Sequence, residues 1–477
     1  MTESCSTLPQ LVQQAADRFG AAEAVVDGPL RLSFTALAER VRRAAGAFAA
    51  AGIDKGDRVA IWAPNSAEWI IAAFGILTAG GVLVPVNTRF RTEEAADILR
   101  RSGARMVLVQ QDFLGVEYTA PDGVRVVDLR SQFLSRGAPF EREVSGTDIA
   151  DVVYTSGTTG KPKGVMMNHA QTLRMYAEWC DLADLRPGDR YLIVNPFFHT
   201  FGYKAGVVAA LLRGATILPV AVFDVERVLD LVERERVTML PGPPTLLSSL
   251  LLATGSRDLS SLRATVTGAA DIPVELIRRV STELPFRSIM TGYGLTEAGT
   301  ATASRPGDTF EQIAGTVGTP CAGIEVRIAD DGEVLVRGYS VMQGYLDDPV
   351  ATAQAVDADG WLHTGDLGSL DADNRLRIIG RKKDMFIVGG FNAYPAEIEG
   401  ILLQHPAVAQ VAVVGVADER LGQVGKAFVV AESVVAEADL LEWARAHMAG
   451  YKVPRSVRFL DRLPLNATGK VQKDQLR

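Results

Sequence analysis

Apolar positions in the first part of the chain alternate between two spacings. Phe34, Leu37, Val41, Ala45 and Phe48 recur at the interval that keeps one face of a helix apolar, and Gly52 marks its stop. Residues 58–62 form a short apolar run, which predicts a buried strand. Ser66 is placed to cap a helix over 68–77, and Gly80 to end it. Residues 82–86 read as the next strand. Thr92, Glu93 and Glu94 then open a helix with acid at its positive end, and Arg100 and Arg101 close it with base at its negative end, before Gly103. A further strand is predicted over 106–109.

The same rhythm returns beyond a polar stretch at 137–148. Strands are predicted over 191–194, 215–219, 237–240, 262–267 and 286–290, with helices over 205–212 and 226–236, the latter capped by Asp224. Strands alternating with helices predict largely parallel sheets covered on both faces. From about residue 312 the pattern changes to short strands at 325–328 and 333–336 around the turn Asp330-Asp331-Gly332. A strand at 386–388, a helix at 395–404, a strand at 410–416 and a helix at 438–449 follow. The expected fold is therefore α/β. A large N-terminal domain, 1–382, holds two α/β subdomains (1–145 and 146–311) and a small β-barrel-like subdomain (312–382). A small α+β domain, 383–477, follows it.

Length fits this division, since 477 residues suggest about three units at roughly 150 residues each. The net charge of −8 argues against general nucleic-acid binding. Cys5, Cys180 and Cys321 are far apart and lie in no paired motif, which argues against a disulfide framework or zinc site and for a reducing cytoplasm. The most apolar stretch, 69–86, is broken by Gly80, Gly81 and Pro85, so no membrane span is expected.

Four segments carry candidate chemistry. The first is Thr155-Ser156-Gly157-Thr158-Thr159-Gly160-Lys161, continuing to Gly164, after the apolar run 149–154. Glycines let backbone approach a ligand, hydroxyls and amides can wrap phosphate oxygens, and lysines add charge. Pro162 stands where a P-loop would carry the magnesium-binding Ser or Thr. The second is the glycine-rich Thr291-Gly292-Tyr293-Gly294-Leu295-Thr296-Glu297, where a carboxylate beside a hydroxyl suits magnesium and triphosphate. The third pairs His363-Thr364-Gly365-Asp366 with Arg381-Lys382-Lys383, an acceptor for ribose hydroxyls and a partner for phosphate. The fourth is Ala467-Thr468-Gly469-Lys470 near the C-terminus.

In this order and spacing the four segments resemble the adenylate-forming (AMP-binding) superfamily: acyl- and aryl-CoA ligases, adenylation domains of peptide synthetases, and firefly-type luciferases. The resemblance covers essentially the whole chain. It implies that the 155–164 loop holds the β- and γ-phosphates of ATP, and that Gly268-Ala269-Ala270 and Gly292 to Gly294 flank adenine and the acyl pocket. Thr296 is implied at the α-phosphate, Glu297 at magnesium, Asp366 at the ribose and Arg381 at ribose or phosphate. Lys470 bridges the attacking carboxylate and the α-phosphate. The substrate supplies its own nucleophile, so no side-chain nucleophile is needed.

The resemblance also implies a second half-reaction with coenzyme A, with the small domain swinging about a hinge at Lys383. Gly389-Gly390-Phe391 matches the loop lining the CoA tunnel, and the segment Phe198-His199 makes His199 a gate and positioning group. Phe198, Tyr203, Lys204, Gly206, Pro243 and Ala298 are expected at the acyl pocket, with Lys204 meeting a polar group of the acid or lying on the surface beside it. Peptide-synthetase domains usually carry an acid near residue 202, and none is present here. The segments around 197–206, 240–245 and 389–395 look most like fatty-acyl-type ligases of actinobacteria, a group that includes ligases for the propanoate side chain of partly degraded steroid rings. The expected partners are a bulky or medium-chain carboxylic acid and CoA. Alternatives are transfer to a carrier protein or partner enzyme, and a non-catalytic nucleotide-binding homologue. A homodimer is compatible with the sequence.

Overall fold

The computed structural model describes residues 5–476 apart from 112, 116, 117, 119, 156–161, 254–256, 269–273 and 466–470. Local signals place the early helices where the pattern predicts them. Ser66 accepts a hydrogen bond from the Trp69 amide and starts helix Ala67–Thr78, which is buried on all sides. Glu94 reaches back to the Arg91 amide at the start of helix Thr92–Ser102, and Gly103 ends it in the left-handed conformation.

One large sheet runs in the order Gly344–Tyr345, Lys163–Asn168, Ile149–Thr155, Val82–Pro85, Arg58–Trp62, Met106–Val109, Arg125–Asp128. Its inner pairings are parallel, and the first two strands are added antiparallel. A second sheet runs Leu30–Ser33, Glu23–Asp27, Thr216–Pro219, Arg190–Ile193. Single bridges through Met239 join it to a third group, Ala264–Gly268, Ser288–Leu295, Gly299–Ala303, Thr319–Pro320. The predicted strand over 237–240 is therefore reduced to one bridging residue.

The division expected near residue 145 does not follow the sheets. Val25 from the N-terminal part pairs with Ile217, and Asp151 from beyond the boundary pairs with Leu83. The first two sheets each take strands from both sides of the expected cut, and one continuous apolar core spans the cut, from Leu8 and Trp69 to Tyr203 and Ala303. The β unit is a four-stranded antiparallel sheet, Ile324–Ile328, Glu333–Gly338, Leu362–Leu370, Leu376–Arg381. The last segment has its own sheet, built on strands Val408–Asp418 and Gly422–Ala431. Its own core forms around Phe386, Ile398, Val413 and Leu440.

His169 ties the N-terminal helix to the centre of the molecule. Its ring is 1% exposed, and Nδ1 accepts from the Leu8 amide at 3.3 Å. Burial pushes its pKa down to about 4. The unfolded chain, titrating near 6.5, therefore binds the proton more readily between those values, and stability is lost as pH falls through that window. His169→Gln keeps an acceptor without titrating. The wild type should lose up to about 3 kcal/mol relative to this variant between pH 7 and pH 4, read by chemical denaturation. Parallel pH profiles for the two proteins would contradict this account.

Candidate functional site

The phosphate-loop candidates are held by a β-hairpin. Strands Ile149–Thr155 and Lys163–Asn168 pair antiparallel, with Thr155 opposite Lys163. Ser156, Gly157, Thr158, Thr159, Gly160 and Lys161 lie between them, outside the described residues. Ala269, Ala270 and Lys470 are outside them as well.

Thr296, Glu297 and Ala298 form the tight turn between strands Ser288–Leu295 and Gly299–Ala303. Gly294 is required just before it, because a Cβ there would lie 2.3 Å from the Gly299 carbonyl oxygen. The turn carries Glu297 toward the end of the neighbouring sheet. Its Oε1 accepts from Tyr345 Oη at 3.1 Å and from Thr155 Oγ1 at 3.5 Å. Its backbone carbonyl accepts from the Met342 amide at 2.7 Å. The Lys163 ammonium sits 4.9 Å from the centre of the Tyr345 ring, over its face. Burial and the Glu297 carboxylate push the Tyr345 hydroxyl up, so it stays a donor.

Among the described residues no group of three or more His, Cys, Asp or Glu side chains is arranged to hold a metal ion by itself. One carboxylate beside hydroxyls fits magnesium nonetheless, since that ion takes one or two carboxylates and completes its shell with phosphate oxygens and water.

Asp366 forms the other charged centre. Only 4% of the residue is exposed; Oδ1 pairs with Arg381 Nε at 2.7 Å and Oδ2 accepts from Tyr293 Oη at 2.6 Å. Burial and the carboxylate drive the Tyr293 pKa well up. Each carboxylate oxygen keeps a second lone pair, so a pair of vicinal hydroxyls can still bond there. Glu333 sets this segment. It accepts from the Gly365 amide at 2.9 Å, lies 3.3 Å from His363 Nδ1, and pairs with Lys382 at 3.2 Å. Lys382 also pairs with Asp331 at 2.6 Å, which raises its pKa. The next residue, Lys383, is exposed in a turn. Beyond it, Gly389 and Gly390 both adopt positive φ, and the exposed Phe391 stacks on Tyr451 at 5.1 Å.

On the acyl side the structure corrects the sequence reading twice. The helix predicted over 205–212 is a π-wound turn, Phe201–Val208, continued by the α-helix Ala209–Arg213. Gly202 allows this path, since a Cβ there would lie 2.2 Å from the Pro196 carbonyl oxygen. Lys204 is neither a surface residue nor a free cation for a substrate. It is 2% exposed and its Nζ lies 2.8 Å from Oδ1 of Asp151, itself fully buried. Phe198, Tyr203 and Ala298 are buried, Gly206 packs on Ile193, and Pro243 is half-buried before helix Pro244–Ala253. His199 Nδ1 accepts from the Phe201 amide at 3.2 Å. In the neutral ring this puts the proton on Nε2, which suits a donor better than a base.

Tyr345, Glu333 and Asp151 were missed as site residues. Asp151 had a readable signal, because an acid inside the apolar run 149–154 has to be paired. Tyr345 and Glu333 act across sheets and left no local mark.

Similarity to known proteins runs along nearly the whole chain. The AMP-binding enzyme family matches residues 12–346, and the AMP-binding enzyme C-terminal domain matches residues 397–470. The chain belongs to the AMP-binding enzyme family. A 3-(7a-methyl-1,5-dioxo-octahydro-1H-inden-4-yl)propanoyl:CoA ligase of Rhodococcus jostii is 46% identical, covering 100% of this AMP-binding chain and 99% of its own length. The ligase of the same description from Mycobacterium tuberculosis is 47% identical, covering 99% and 98%. The o-succinylbenzoate coenzyme A synthetase of Bacillus subtilis, solved in complex with ATP and magnesium ion, superposes with a TM-score of 0.88 at 31% identity over 98% of both chains. No helix among the described residues is long and apolar enough to cross a membrane.

Removing the Tyr345 hydroxyl should leave Glu297 less well aimed. Tyr345→Phe is expected to raise the magnesium concentration for half-maximal ATP binding by about three- to tenfold, as for the loss of one ordinary hydrogen bond. Calorimetric ATP titration at several magnesium concentrations checks this, and an unchanged midpoint would refute it.

Proposed function

We propose that this chain is an ATP-dependent, AMP-forming acyl-CoA ligase for a bulky, ring-bearing propanoate. In the first half-reaction a carboxylate oxygen of the acid attacks the α-phosphorus of ATP, and pyrophosphate leaves. In the second, the sulfur of CoA attacks the acyl carbon, its proton passes to solvent, and AMP leaves. The observation that carries the reading is full-length similarity to two propanoyl:CoA ligases, in a chain whose Glu297 and Asp366 centres suit the two ends of a nucleotide.

The assignment of roles follows the charge. Thr155 and the residues at 156–161 take the β- and γ-phosphates, and Glu297 holds magnesium, which offsets phosphate charge. Asp366, backed by Arg381 and Tyr293, takes the ribose hydroxyls. Gly268, Ala269, Ala270, Gly292 and Gly294 leave room for adenine and the acyl group. Thr296 and Lys470 serve the α-phosphate, where negative charge accumulates during transfer. Residues 383–477 act as a cap turning about Lys383, with the Gly389-Gly390-Phe391 loop on the CoA path. Two ion pairs fasten Lys382 to the large domain, which supports a pivot at the exposed residue after it. His199 donates from Nε2 as a positioning group. The acyl helix offers no free cation, because Lys204 is paired with Asp151. That favours monocarboxylic acids over diacids.

Pyrophosphate release and thioester formation, measured separately over ring-bearing propanoates, medium-chain fatty acids, aryl acids and diacids, test the reading. A ring-bearing propanoate should exceed a medium-chain acid in kcat/KM by at least about tenfold. Thioester should appear only with CoA. A higher value for the medium-chain acid would overturn the acid assignment. Pyrophosphate release without CoA thioester would move the acceptor to a carrier protein.

A further inference from the structure

The Lys204–Asp151 ion pair is costly for the fold, and nothing in the nucleotide assignment uses it. Both side chains are essentially inaccessible, at 2% and 0%. Burial pushes the Asp151 pKa up against the opposing pull of Lys204. No other described group donates a hydrogen bond to either Asp151 oxygen, and the buried hydroxyls Tyr203 Oη and Thr172 Oγ1 also lack partners among the described residues. A bare buried pair of this kind contributes little net stability compared with apolar residues of similar size.

Its position suggests another use. Asp151 lies on strand Ile149–Thr155, four residues before the Thr155 hydroxyl that reaches Glu297. The two residues face the same side of the strand. Lys204 lies five residues after His199, in the π-wound turn, and the Ala209 amide bonds back to its carbonyl across five residues. π winding is rare and intrinsically weaker than α winding, so something outside the helix has to hold it. The turn's other outside contacts include one hydrogen bond, from Tyr191 Oη to the Ala205 carbonyl at 3.2 Å, and ring packing of Tyr203 against Trp69 and Phe201 against Trp179.

We propose that the Lys204–Asp151 pair is a positioning device for carboxylic-acid binding: it holds the π-wound acyl helix in register with the strand that ends at the phosphate loop. The pair fixes Phe198, His199 and the helix start relative to Thr155. It thereby sets where the acid's carboxylate stands against ATP. The inference rests on the acyl-pocket reading above.

Replacing both charges by apolar side chains, Asp151→Leu with Lys204→Met, separates positioning from folding. The double variant should keep or raise the wild-type melting temperature and bind ATP with unchanged affinity. Its KM for the preferred acid should rise by about tenfold or more, because a small misplacement of the reacting group is costly. Its ranking of acids should flatten. If the double variant does not fold, Lys204→Arg carries the test. It keeps the charge but places a larger, planar group against Asp151, and it should raise the acid KM with ATP affinity unchanged. Wild-type acid KM and ranking in the folded variant would overturn the inference. Failure of the wild type to release pyrophosphate with any acid would instead overturn the ligase reading.

Discussion

The carboxylate of Glu297 is where the two large sheets of the molecule are brought into chemical contact. It projects from a hairpin turn of one sheet, while its partners Thr155 and Tyr345 belong to strands of the other. Strand Gly344–Tyr345 joins the edge of that sheet through Lys163–Asn168, so the hairpin strands that flank 156–161 and the Glu297 partner share one sheet. A carboxylate held this way needs three conditions. The turn must be tight enough for Gly294, the sheet edge must accept a late strand, and a cation must stand behind the tyrosine ring. The first is met within the same hairpin, and the other two by residues distant in sequence.

The Asp366 centre follows the same logic on the antiparallel sheet. Asp366 and Arg381 are direct cross-strand partners, so their ion pair follows from strand register. Tyr293 comes from the neighbouring sheet and closes the second oxygen. Glu333 orders the backbone around Gly365 and grips Lys382 from the same carboxylate. One acid therefore links the Asp366 segment to the residue just before the turn at Lys383. A rotation about that turn would leave the Asp366 centre undisturbed.

Much of this was legible in the sequence where the signal was local. The helix cap at Ser66, the glycine stop at Gly103 and the strand leading into 156–161 each follow from a few neighbouring residues. The glycine-rich segment before Glu297 also announced itself, and the turn it makes is a hairpin. Nonlocal features were not legible. Strand exchange across residue 145 depends on pairings such as Val25 with Ile217, which leave no trace in spacing. The π winding at Phe201–Val208 was hidden because its apolar pattern also suits an α-helix. Lys204 reads as a surface or ligand-facing residue until Asp151 is found opposite it.

The buried pair and the His199 ring bear on one question, which is how an active site that handles polyanions avoids binding its acid in the wrong orientation. A free ammonium on the acyl helix would attract the substrate carboxylate to the wrong end of the pocket. Coulomb attraction of that kind strengthens as water is excluded. Pairing Lys204 with Asp151 removes that competing site while leaving the helix its register. In the proposed roles His199, whose Nδ1 accepts from the Phe201 amide, donates to the acid from Nε2. A neutral donor orients an oxygen without holding it as tightly as a cation would. Under the proposed roles, Lys204 then offers no charge at the acyl end to compete with the phosphate end for the carboxylate.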